Sequence, residues 1–91
     1  MYGFLKDEKF RALASKGKVV YVFLRILSKD LQAEHPGISV YEWPMRSFVS
    51  LSGIDEDSVL EILNELAGEE LIGLPEQVTD KVRWMISLED E

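Results

Sequence analysis

Ser52-Gly53-Ile54-Asp55-Glu56-Asp57-Ser58-Val59-Leu60-Glu61-Ile62-Leu63-Asn64-Glu65-Leu66 reads as the end of one helix, a turn, and most of the next helix. Gly53 is free to take positive φ and so closes the first of the two. Asp55 caps the second, and Glu56 and Asp57 complement its positive dipole end. Ile54 and Val59 stand at the N′ and N4 positions of a hydrophobic staple. Val59, Ile62, Leu63 and Leu66 then recur at i, i+3, i+4 and i+7, the stripe of a helix with one buried face. Gly68 weakens its last turn.

Upstream, Pro44 suits the first position of a helix that runs through Phe48 and Leu51. Ile38-Ser39-Val40-Tyr41 alternates as a short edge strand would, and His35-Pro36-Gly37 is a breaker cluster. Before it, Val20, Phe23, Leu24, Leu27 and Leu31 fall at helical spacing over about 15 residues, which outweighs the strand preference of so many β-branched side chains. Val19, Val22 and Ile26 form a second apolar stripe, so this first long helix is buried on more than one side or meets a partner. Phe10, Leu13 and Ala14 suggest a short helix over residues 6–14, broken at residues 15–18 by Gly17. Downstream, residues 71–74 read as a strand and 75–80 as a connection rich in turn formers. Residues 81–88 read as a second strand with Val82, Trp84, Ile86 and Leu88 inward.

Ninety-one residues suit one small domain, and no linker or repeat divides them. An N-terminal extension helix over residues 1–15, a hairpin over 71–88 and an acidic tail over 89–91 complete the expected layout. With no cysteine, disulfides, thiolate metal sites and cysteine nucleophiles are excluded. The longest apolar run is six residues, Val19 to Leu24, too short to span a bilayer. The acids near the N-terminus do not fit a secretory signal, and the expected location is cytoplasmic. The net charge of −7 opposes nucleic-acid binding by bulk electrostatics. That charge is divided: residues 1–50 carry eight bases and five acids, a balance of +3, and residues 51–91 carry Lys81 and Arg83 against twelve acids, a balance of −10. Such a split suggests two faces with different partners, or a solvated surface alone.

Helix, short strand, helix, glycine turn, helix and two-stranded hairpin is the element order of a winged helix-turn-helix domain, a mainly α fold with a small antiparallel hairpin. Phe48 and Val49, the turn Ser52-Gly53-Ile54, the stripe Val59, Leu63 and Leu66, and then Leu71-Ile72 carry the resemblance. Winged-helix sequences commonly read Gly-Leu-Ile before the wing, whereas here Glu70 precedes Leu71 and the glycine is displaced to Gly68. Phe4-Leu5, Phe10, Leu13 and Lys16-Gly17-Lys18 followed by a long apolar helix also resemble the N-terminal winged-helix domains of bacterial and phage replication-initiation (replisome organiser) proteins. That resemblance implies a role in oligomerisation, in loading other proteins, or in touching DNA.

A DNA-reading winged helix turns its third helix toward base edges and phosphates with cations and amides. The outward positions here are Glu56, Asp57, Glu61, Asn64 and Glu65, which phosphates repel. These residues suit instead a basic protein partner, or solubilise the helix. Nucleic-acid contact, if made, falls to Lys6, Lys9, Arg11, Lys16 and Lys18, with Lys81 and Arg83 of the wing; the bland reading of those cations is a solvated basic edge. Phe4, Val19, Val22 and Ile26 are the candidate homodimer contacts. The sequence therefore favours a non-enzymatic interaction module of a replication or transcription regulator, bound to a second copy or a heterologous protein. The alternative is a DNA-binding regulator using its basic N-terminal half and wing rather than the acidic third helix, and a third reading is a DNA mimic that fills a basic site on a host protein.

No cofactor, metal, membrane or small-molecule substrate is expected. His35 is the single histidine and has no second ligand at metal spacing. Asp55-Glu56-Asp57 lacks the alternating oxygens and central glycine of a calcium loop. Neither a phosphate-binding glycine loop nor a recognised serine nucleophile motif is present.

Overall fold

The computed structural model describes residues 7–88. The elements are α1 (Glu8–Arg11), α2 (Ser15–Glu34), β1 (Tyr41–Pro44), α3 (Met45–Ser52), α4 (Glu56–Gly68), β2 (Gly73–Val78) and β3 (Lys81–Met85). The three strands form one antiparallel sheet in the order β1-β3-β2. Three helices packed on a sheet whose first strand precedes α3 make a winged-helix arrangement, as expected from the element order.

The turn and helix quoted first form as the residues dictate. Gly53 closes α3 with φ 72°, and its N–H donates to the Val49 carbonyl at 2.9 Å. Asp55 caps α4, and the staple residues Ile54 and Val59 are both buried. Val59, Ile62, Leu63 and Leu66 enter a core shared with Val20, Leu24, Phe48, Val82 and Trp84. The helix leaves through a Schellman turn: Leu71 N–H donates to the Leu66 carbonyl and Glu70 N–H to that of Ala67, both at 3.0 Å. Glu70 takes φ 62° there, the left-handed position normally given to glycine. The displaced glycine thus leaves the exit geometry unchanged and puts a glutamate in a conformation that costs it energy.

Several boundaries differ from the sequence reading. α2 begins at Ser15, and the chain breaks at residues 12–14 rather than at Gly17. One helical glycine costs only about 1 kcal/mol against alanine, less than the packing gained by extending the apolar stripe to a 20-residue helix. Of the expected extension helix, α1 spans only Glu8–Arg11, capped by Asp7; residues 1–6 lie outside the described residues, as does the tail at 89–91. The first strand is Tyr41–Pro44, not 38–41, because its partner sets it: Tyr41 pairs with Trp84 and Glu42 with Arg83. This register stacks the buried Tyr41 and Trp84 rings with centroids 6.2 Å apart. Pro44 consequently ends the strand and sits at the N-cap of α3 instead of in its first turn.

The hairpin departs furthest from expectation. Residues 75–78 are strand rather than loop, and the connection shrinks to Thr79-Asp80 between the paired Val78 and Lys81. Pro75 is tolerated because β2 is an edge strand and the pairing shifts register between Gly73 and Glu76. β3 ends at Met85, so Ile86 and Leu88 lie beyond the sheet and are half-buried.

Candidate functional site

Three surfaces position the residues that the sequence singles out. The first is the outer face of α4. Asp55 accepts from the Ser58 backbone N–H at 3.1 Å and from the Ser58 hydroxyl at 2.8 Å. Those bonds, with a smaller contribution from the positive charge of Lys16, hold the Asp55 carboxyl below its ordinary range. Past the cap, Glu56, Asp57, Glu61, Asn64 and Glu65 are all exposed, with Asp57, Glu61, Asn64 and Glu65 on one face. Glu69 and Glu70 extend the negative surface past the helix end.

The second surface is the hairpin, which is tied to the helices rather than extended from them. The Asp80 carbonyl accepts from Met45 N–H at 2.8 Å, anchoring the turn to the start of α3. Gln77 Nε2 donates to Glu56 Oε1 at 3.1 Å, joining β2 to the first turn of α4. On the outer face of the sheet, Glu42, Arg83 and Glu76 lie in a row across β1, β3 and β2. Arg83 Nε is 2.5 Å from Glu42 and its Nη1 is 3.4 Å from Glu76, while Lys81 Nζ lies 4.0 Å from Glu42. The Glu42 hydrogen bond raises the Arg83 pKa above its ordinary value. Both cations expected to serve the wing are therefore already compensated.

The third surface is α2 and the segment before it. Lys9, Arg11 and Lys16 are exposed, and Lys6 falls outside the described residues. Ala14 supplies no side-chain cap to α2, and no acid occupies the first turn. Lys18 departs from this basic group: it is half-buried and forms a wall of a depression of about 280 Å³ lined by Lys18, Val19, Val22, Phe23 and Ile26. Val19 and Ile26 are 41% and 49% exposed, large values for such apolar side chains. The second apolar stripe thus stays at the surface; Phe4, expected beside it, lies outside the described residues.

Two roles were not anticipated from the sequence. Glu42 organises the ion pairs of the sheet, a role legible only once the period-2 patterns Tyr41-Glu42-Trp43 and Lys81-Val82-Arg83 are set against each other. Arg25, counted among the basic residues, is 3% exposed. It donates to the Tyr21 hydroxyl at 3.0 Å and to the Ser87 carbonyl at 3.5 Å. Ser28, one turn on, accepts from Trp84 Nε1 at 2.7 Å. Tyr21, Arg25 and Ser28 share i, i+4, i+7 spacing, and that polar seam on the buried side of α2 is the signal in the sequence.

The fold and these surfaces define a winged-helix domain whose third core helix, α4, is acidic. No protein-family model and no curated protein matches the chain. A solved structure described as "N-Terminal domain of DNA binding protein" is similar to it, with a TM-score of 0.60 at 13% identity over 92% of this chain and 69% of the other. At that identity the likeness establishes the fold alone. Among the described residues, no cluster of three or more His, Cys, Asp or Glu could hold a metal ion, and no helix is long and apolar enough to cross a membrane.

Proposed function

We propose that this chain is a non-enzymatic winged-helix interaction module of a DNA replication or transcription regulator, working mainly through protein contacts. The observation that carries this reading is the exposed acidic face of α4, at the place where a DNA-reading winged helix presents donors and cations. The exposed apolar stripe of α2 supplies the contact surface, since interfaces draw their affinity from such desolvated apolar positions. The description of the similar structure supports a setting near DNA, and the resemblance to replication-initiation domains is in keeping with it.

The second reading is direct DNA binding through the basic N-terminal segment. It is favoured by the exposure of Lys9, Arg11 and Lys16 beside a helix start that lacks a side-chain cap. A salt titration of binding to arbitrary duplex DNA, with solution mass measured in parallel, separates the two. The protein-contact reading expects self-association or capture of a protein partner, with duplex affinity too weak to persist at physiological salt. Tight binding that falls steeply with salt and is lost in the Lys16→Glu, Lys18→Glu double variant would establish the second reading instead.

A further inference from the structure

We infer that the exposed face of α2 pairs antiparallel with α2 of a second copy, with Val22 opposite Ile26 of the partner and Lys18 opposite its Asp30. The inference rests on the protein-contact reading above and gives that contact an occupant and a geometry. Lys18, Val22, Ile26 and Asp30 are spaced by four within α2, so they form one continuous ridge. Val19 and Phe23 belong to the adjacent ridge, and the depression lined by Lys18, Val19, Val22, Phe23 and Ile26 is the groove between the two. Helices pack by seating the ridge of one in such a groove of the other.

The order along the ridge selects the partner. It runs cation, two apolar residues, anion, and reversing it gives anion, two apolar residues, cation. A two-fold axis between Val22 and Ile26 therefore meets every position with its complement, which is the requirement of an isologous interface. The same alignment set parallel would oppose Lys18 to Lys18 and Asp30 to Asp30. Among the described residues neither Lys18 nor Asp30 has an ion-pair partner within the chain. Both also stand toward the helix end that the macrodipole disfavours for their charge, with no acid in the first turn and no base in the last. An antiparallel second copy offsets both by bringing the opposite charge and the opposite dipole end to each.

A charge-swap series read by sedimentation equilibrium on the 91-residue chain tests this. Lys18→Asp and Asp30→Lys should each weaken the dimer by at least about tenfold, because each opposes like charges twice across the axis. The combined Lys18→Asp, Asp30→Lys chain should recover the wild-type dissociation constant to within a few-fold. The chain has no cysteine, so a short bis-maleimide should cross-link a mixture of Lys18→Cys and Asp30→Cys chains. It should not cross-link either variant alone, since like positions lie about 18 Å apart along the axis at about 1.5 Å per residue. Dimers indifferent to the single reversals, dimers not rescued by the double one, or cross-links within a single variant would overturn the pairing and leave protein contact through another face standing. A wild-type chain that stays monomeric at all concentrations would overturn the second copy as occupant, and the proposed function would then require a heterologous partner.

Discussion

Glu70 holds at φ 62° a position that the Schellman turn reserves by default for glycine. Releasing that conformation should stabilise the fold, so Glu70→Gly is expected to raise unfolding free energy by about 1 kcal/mol in urea titration. Ser28 has the opposite role. Its hydroxyl is the acceptor for the fully buried Trp84 indole N–H, and Ser28→Ala would leave that donor without a partner at a cost of about 1–3 kcal/mol. Asp55 supplies the pH dependence. Its carboxyl titrates lower in the folded chain than in the unfolded one, chiefly through the two Ser58 hydrogen bonds. The stabilisation is therefore complete above the unfolded value near 3.8 and is lost as pH falls through the lower folded value. Asp55→Ala should lower Tm by a few degrees at pH 7, and the gap should begin to narrow near pH 3.8 and close as pH falls through the lower folded value. Asp55 was legible as a cap because capping is local. The partner of Ser28 was not, because it lies 56 residues away.

At the scale of elements, helices were legible where the signal lay within a few residues. The staple, the cap and the stripe of α4 all fall inside residues 54–66, and the structure keeps them. Strand limits were not, because pairing sets them. Tyr41–Pro44 becomes β1 through its register with β3, and residues 75–78 become strand although Pro75 alone argues for a loop. The same pairing changes the reading of the wing: Lys81 and Arg83 look available in the sequence, and Glu42 from a strand 41 residues earlier engages Arg83. Glu42→Gln should accordingly give a small drop in Tm that shrinks in 1 M salt, as expected for partly exposed ion pairs. The two stripes of α2 were visible from the start. Which one the core would leave uncovered depended on where α3, α4 and the sheet dock, and that lies outside any local pattern.

Over the whole molecule, the −7 charge resolves into surfaces rather than halves. Acids cover the outer face of α4, the wing cations are compensated on the sheet, and Lys9, Arg11 and Lys16 form an exposed basic group before and at the start of α2. Besides those charged regions, the α2 ridge is an apolar surface that the fold leaves open, with Val19 and Ile26 both exposed. A module built this way should meet proteins before it meets phosphates. The most direct test is the solution mass of the wild-type chain and of Ile26→Glu, compared by sedimentation equilibrium over a range of concentrations. Ile26 is exposed, so its replacement should leave the fold, followed by circular dichroism, intact. The wild type should move with concentration from the 10.4 kDa monomer toward about twice that mass, and Ile26→Glu should remain monomeric. An Ile26→Glu chain that associates as well as the wild type would contradict the assignment of this face as the contact surface.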